Sequence, residues 1–375
     1  MTNPSQTISK ILKHESKRNT YKIALVRAIN DIALEYPLLS QNADGVAIPL
    51  RMIAEFWLAY YWSFVDSHSP IRQGHDKTDM AFRDAITIFR QSWETHGGEY
   101  SPAEGYMVKN IFAIARKQSQ YGASLLTHYH QTIATIQKAI QQPIKYAGTG
   151  EYTLFDKPQR LSNLTRVIPI PTAEPSDVCL VVPMDLWVTF QEMSLWIEAL
   201  CIHEWCMFTE TVTQEDGGTH YRGMTYGFLT KRPDNRRPLT WERNQIDILL
   251  MEGATFQCPW THKHIKKGVE YQVDHLIPIA VRPMNELWNL APTDPAFNLK
   301  KRDRLPSEET LLKAERPLIG TYRLYQNSDV LGKTLYEDSQ TRFGLKPSNR
   351  FAEELVRLTC SLIAHITEKR NVAQF

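Results

Sequence analysis

Asp274 and His275 stand side by side, Asn289 follows after a loop, and Asn298 with Lys301 lies beyond it. Imidazole is the side chain whose ordinary pKa lies closest to neutrality, so His275 is the candidate base. Asp274 and Asn298 supply a carboxylate and an amide oxygen. These are hard donors that suit Mg²⁺ (or Mn²⁺), an ion that keeps waters and substrate oxygens for its other positions. Asn289 has two donors and one acceptor with which to brace the intervening loop and hold His275 in one orientation. A base, together with a cation that offsets charge on a phosphate and its leaving oxygen, is what phosphodiester hydrolysis requires.

The stretch that must position these residues reads QCPWTHKHIKKGVEYQVDHLIPIAVRPMNELWNLAPTDPAFNLKKRDRLP from Gln257. Val269 to Leu276 alternates and is β-branched, which predicts a strand that Pro278 stops and that delivers Asp274 and His275 at its end. Leu287 to Leu290 is apolar and long enough for a second strand. Asp294-Pro295 predicts a helix start, with Asp as the N-cap and Pro in the first helical position. A helix from Ala296 to Arg302 carries Asn298 in its first turn and Lys301 one turn later on the same face. Lys301 and Arg302 are candidates for holding the substrate backbone, and a solvated helix face is the competing reading.

This stretch resembles the HNH, or ββα-metal, endonuclease family. The resemblance rests on Asp274-His275-Leu276-Ile277-Pro278, on Asn289-Leu290, and on Asn298 with Lys301, Asp303 and Leu305-Pro306. It implies that His275 activates water, that Asp274 and Asn298 bind the metal, and that Asn289 orients the loop. Many members of that family staple the fold with two Cys-x-x-Cys pairs around a zinc. Here the corresponding positions hold Cys258 and Thr261, then Asp294 and Phe297, so four thiolates cannot assemble and no structural zinc is expected. A site built from Cys258, His262 and His264 is the alternative. Cys-Pro-Trp-Thr and Leu-Trp-Asn-Leu-Ala-Pro resemble a bacterial, zinc-less branch of the family. The nuclease of a Zorya-type anti-phage system is one relative that this resemblance suggests.

The rest of the chain predicts a mainly α protein with a small α+β part. Its divisions are a helical module over 1–230, the nuclease over 231–306 and a helical tail over 307–375. Helices are expected at Tyr21–Glu35, Leu50–Val65, Asp79–Trp93, Ala103–Lys117, Ser124–Gln141, Leu186–Phe208, Trp241–Met251, Glu308–Tyr325 and Asn349–Glu368. The last two, joined by a polar loop, are expected to pack back onto the N-terminal bundle. Strands are expected at Val167–Ile170, Val178–Val182 and Tyr221–Leu229. The aromatic run Trp57, Tyr60, Tyr61, Trp62 and Phe64 has no basic interleaving and reads as core rather than as a base-stacking platform. His203-Glu204 lacks the second His of a zincin, since Met207 stands there.

Net charge is +2 over 375 residues, so the molecule is no polycation. The bias toward Lys and Arg is local to 255–306, which suits contact with a DNA backbone. Lys231, Arg232, Arg236 and Arg237 in the Pro-rich joint 231–240 either grip phosphates or are solvated. The five cysteines show no pairing pattern, and the start lacks an apolar leader. Both features predict a cytoplasmic location. The longest apolar run, Phe56 to Val65, is too short to insert into a bilayer. The expected partners are DNA and, through the helical module, other proteins of a defence system. Two other readings stand beside DNA cleavage: an adaptor with a vestigial nuclease fold, and an RNA-cleaving enzyme.

Overall fold

The computed structural model describes residues 3–39, 42–65, 71–75, 79–98, 101, 103–112, 118–148, 150–215, 222–231, 239–282 and 284–375. The chain forms two compact units: Met1–Glu35 with Leu39–Arg232, and Tyr36–Leu38 with Pro233–Phe375.

The first unit opens with α1 (Pro4–Ser9), capped by the Asn3 side chain and continued by a π-helical turn, Lys10–His14. Next comes α2 (Tyr21–Glu35), whose polar stripe Arg27, Asn30, Asp31 and Glu35 is as buried as its apolar residues. Burial of those groups is tolerable because each finds a partner. Tyr60 donates to Asp31 at 2.5 Å, Lys109 reaches Glu35 at 3.2 Å, and Arg27 donates to the Leu229 carbonyl at 2.7 Å. The strand β1 (Gly45–Pro49) leads into α3 (Leu50–Tyr61) and a 3₁₀ turn, Trp62–Val65. The aromatics of α3 and this turn are buried, as their lack of basic neighbours predicts.

Then follow α4 (Arg83–Thr95), α5 (Glu104–Phe112) and α6 (Ala123–Tyr146). Gly105 lets α5 lie against α3: a Cβ there would stand 2.7 Å from Trp62 Cβ and 2.8 Å from the Ala59 carbonyl. The C-terminal part of the helix expected over Ala103–Lys117 lies outside the described residues. A small sheet completes the layer with β2 (Gln159–Arg160), β3 (Val167–Pro169) and β4 (Val178–Pro183), in the order β2-β4-β1-β3. β1 runs parallel to β3 and antiparallel to β4. The single helix expected over Leu186–Phe208 is two, α7 (Met184–Glu192) and α8 (Ser194–Glu215), broken at Met193. Glu204 on α8 lies 3.8 Å from Lys13, an ion pair that fits the structural reading of His203-Glu204. Residues expected to form a strand before Leu229 instead form α9 (Arg222–Thr230), because aromatic content at Tyr226 and Phe228 does not distinguish strand from helix.

In the second unit, α10 (Thr240–Met251) precedes the short ribbon β5 (Phe256–Gln257) and β6 (His264–Ile265). A second ribbon, β7 (Gln272–His275) with β8 (Leu290–Thr293), is followed by α11 (Pro295–Lys301). Three helices close the unit: α12 (Glu308–Gln326), α13 (Asp329–Phe343) and α14 (Phe351–Arg370). The segment expected to be a polar loop is largely α13, N-capped by Ser328 and ended by Gly344 at φ 65°. These helices pack on the segment carrying the candidate residues. Tyr322 and Tyr325 donate to the Trp288 and Leu290 carbonyls at 2.5 and 3.2 Å. Among the described residues, no helix is long and apolar enough to cross a membrane.

Candidate active site

β7 is shorter than the sequence predicts because Lys266–Val269 forms a turn, with Gly268 at φ 83°. Its partner strand also starts later than expected. Leu287–Asn289 is a 3₁₀ turn, and the pairing strand is Leu290–Thr293, with Pro292 tolerated at the edge of a two-stranded ribbon. The register sets His275 opposite Leu290 and Asp274 opposite Ala291. Asp294 caps α11 by accepting the Ala296 N–H at 3.2 Å, with Pro295 in the first turn.

Asp274, His275 and Asn298 line one open cleft of about 540 Å³, together with Gln272, Arg243, Arg302 and the Leu239–Thr240 edge of α10. The His275 Nε2 lies 2.8 Å from Asn285 Oδ1. An amide oxygen accepts only, so Nε2 carries the proton and the neutral ring has its lone pair on Nδ1. Asn289 is fully buried and does not take part in that contact. Its Oδ1 accepts the Ile277 N–H at 2.8 Å, and its Nδ2 donates to the Ile277 and Met284 carbonyls at 3.0 and 3.1 Å. It therefore locks the loop on both sides, while the neighbouring Asn285 orients the imidazole. Sequence reasoning missed Asn285, because nothing local to Pro283–Glu286 signals which side chain the closed loop brings to His275. Gln272 and Arg243 were missed as well.

The same loop is fastened from α13. Asp338 accepts the Leu287 N–H at 2.7 Å, and Arg342 pairs with Glu286 at 2.5 Å. The helices after Pro306 thus help to fix the loop that holds the His275 imidazole. Asn289→Ala is expected to orphan two carbonyls and one N–H in the buried loop. That costs about 3 kcal/mol or more, read as a lowered midpoint in denaturant unfolding and reduced cleavage.

Lys301 corrects the sequence reading. Its side chain is fully buried, and its ammonium meets Asp274 Oδ2 at 2.5 Å and the His275 carbonyl, with the Trp260 ring 5.9 Å away. An ammonium so enclosed does not grip a substrate backbone; it fixes the strand end and the carboxylate. Arg302 remains exposed, lines the cleft and caps α11 at φ 52°, ψ −130°, a sparsely populated conformation for a residue with a Cβ. Arg302→Gly is expected to stabilise the fold by up to about 1 kcal/mol. It should also weaken nucleic-acid binding and make the slope of log affinity against log salt shallower by about one unit. Unfolding curves and a salt series of binding isotherms check the two effects separately. Of the basic joint, Lys231 is exposed, and Arg232, Arg236 and Arg237 lie outside the described residues.

The donors suit a hard cation. Asn298 Nδ2 donates to Gln272 Oε1 at 2.9 Å, which turns Asn298 Oδ1 away from Gln272. Asp274 adds a carboxylate lining the same cleft. Among the described residues, no three His, Cys, Asp or Glu side chains gather as a metal-binding group. The Cys258/His262/His264 set is thus not assembled: the buried Cys258 thiol accepts the Asp294 N–H at 3.4 Å, and both histidines are exposed. Around the positions where the resembled nucleases carry cysteines, Phe375 packs between Trp260 and Phe297, each 5.3 Å away between ring centroids.

Residues 258–307, which contain this cleft's strand pair and helix, match the family model described as HNH endonuclease. The segment is an HNH endonuclease domain. Residues 1–229 match the model described as domain of unknown function (DUF8808), and that match covers more than half of the chain. The chain belongs to the DUF8808 family. No curated protein and no solved structure matches it. The HNH domain makes the chain a nuclease acting on nucleic acid.

Proposed function

We propose that the HNH domain hydrolyses DNA phosphodiesters with Mg²⁺ or Mn²⁺, one strand at a time. The observation that carries this reading is that Asp274, His275 and Asn298 line a single cleft, with the imidazole held by Asn285. Asp274 and Asn298 would hold the ion, which when bound offsets charge on the phosphate and the leaving oxygen. His275 Nδ1 takes a proton from water as the water oxygen bonds to phosphorus and the phosphorus–oxygen bond to the leaving group breaks. Asn285 keeps Nε2 protonated through that transfer and stabilises the imidazolium that forms. Arg302 and Arg243 face the cleft and are placed to bind the backbone. A place in anti-phage defence, with the helical module meeting partner proteins, rests on the family resemblance alone. The zinc-less assignment rests on Thr261, Asp294 and Phe297 standing where cysteines would be needed, and a cytoplasmic location on the unpaired cysteines.

One cleft positions one scissile phosphate, so a single encounter cuts one strand. A time course on supercoiled plasmid is expected to give open circle first and linear product later. Linear DNA without an open-circle stage would exclude a single-site cutter. Matched RNA should be cut more slowly than DNA; faster RNA cleavage would reassign the substrate.

A further inference from the structure

The nuclease reading uses only the second unit, but the first also contains a built cavity. Ser16, Lys17, Arg18 and Asn19 form the loop between the π-helical turn and α2. With Lys22, Gln142, Pro143 and Tyr146 they wall a pocket of about 460 Å³. Three cations line it and no carboxylate does. Glu15, at the start of the loop, already pairs with one of these cations. Its Oε2 takes the Lys22 ammonium at 2.6 Å, and its Oε1 takes the Gly148 N–H at 2.8 Å.

Lys17 Nζ donates to the Glu15 carbonyl at 3.2 Å. Burial holds its ammonium below the usual lysine range; Glu204 and Glu15 oppose that shift and Lys22 adds to it. The Arg18 side chain makes no hydrogen bond among the described residues. Tyr146 is 43% exposed beside these groups.

We propose that this pocket binds a mononucleotide through its phosphate, with Lys17 and Arg18 on the phosphate oxygens and the base against Tyr146. Lys22 is already paired with Glu15, which leaves Lys17 and Arg18 as the two lining cations for a phosphate to join. Guanidinium matches phosphate oxygens in paired hydrogen bonds. The Ser16 hydroxyl and the Asn19 and Gln142 amides can donate to further oxygens of the ligand. The loop leads directly into the N-terminus of α2, whose dipole favours negative charge. An exposed tyrosine ring is sequence-tolerant stacking surface for a base. The cavity's volume is that of a small-molecule site rather than of a groove that tracks a strand.

Equilibrium binding of AMP, ADP and inorganic phosphate to the full chain, with EDTA present so that phosphodiester hydrolysis is idle, tests the assignment. AMP and ADP should bind saturably. The double variant Lys17→Gln/Arg18→Gln should bind them about a hundredfold more weakly. Its thermal midpoint and its plasmid cleavage without nucleotide should stay at wild-type values. An Asp274→Asn chain should bind AMP as the wild type does, separating this pocket from the nuclease cleft. Absence of saturation by AMP and ADP at millimolar concentration overturns the proposal, as does wild-type affinity in the double variant. Binding of inorganic phosphate alone removes the nucleotide. A single-stranded oligonucleotide that binds more tightly than AMP, and is lost in the double variant, would make the ligand a nucleic-acid backbone instead.

Discussion

His275→Ala is expected to lower DNA cleavage by about 10²- to 10⁴-fold, the usual effect of removing a general base. The fold should survive, because His275 itself lines the open cleft, so water can enter the space its ring vacates and reach Asn285 Oδ1. DNA affinity should also survive, since His275 is not among the cations that meet the backbone. Asn285→Ala is the informative companion. It leaves the imidazole in place but removes the acceptor that holds Nε2 protonated, so kcat should fall with KM unchanged, and by less than in His275→Ala. The pH profile of kcat should move as well, which a merely structural contribution to the loop would not cause. Turnover near wild type in His275→Ala would move the base elsewhere, and normal kinetics in Asn285→Ala would remove its orienting role.

Asp274→Ala carries the second large effect, on two readouts at once. Cleavage should be lost, because one of very few protein oxygens for the ion is gone. Stability should fall by about 3–5 kcal/mol, because the Lys301 ammonium is left buried without its carboxylate. Lys301→Met should be less damaging to the fold, since Asp274 borders the cleft and can be solvated there. The double variant Asp274→Asn/Lys301→Met should recover much of the stability lost in Asp274→Ala while staying inactive, because no buried charge remains unpaired. Mn²⁺ titration and denaturant unfolding of the three chains separate the roles. If Asp274→Ala unfolds at the wild-type midpoint, the buried pair contributes little to the fold. If it binds Mn²⁺ with wild-type affinity, Asp274 is no ligand.

Much of the candidate site's layout was legible in the sequence because it rests on local rules. Asp274 and His275 end a strand, Asp294-Pro295 starts a helix, and the period of that helix carries Asn298 into the cleft. What was not legible depended on closure of the loop or on burial. Whether Lys301 points to solvent or inward cannot be read from helical spacing, since both faces of a seven-residue helix carry polar residues. Asn285 reaches His275 only because Asn289, Asp338 and Arg342 pin the segment between them, and Asp338 and Arg342 are distant in sequence. In the first unit, α2, α3 and their aromatic core followed from periodicity. β1 did not, because Gly45 and Pro49 bound it and leave only three apolar residues between, a pattern that reads as a turn.

Cleavage of supercoiled plasmid by the purified full chain, with Mg²⁺ and then with EDTA, beside a matched His275→Ala preparation, tests most directly whether this cleft is a metal-dependent DNA nuclease. The expected result is open-circle DNA with Mg²⁺, none in EDTA, and a rate at least about a hundredfold lower for His275→Ala. Equal cleavage by His275→Ala, undiminished cleavage in EDTA, or intact plasmid with both Mg²⁺ and Mn²⁺ would contradict it.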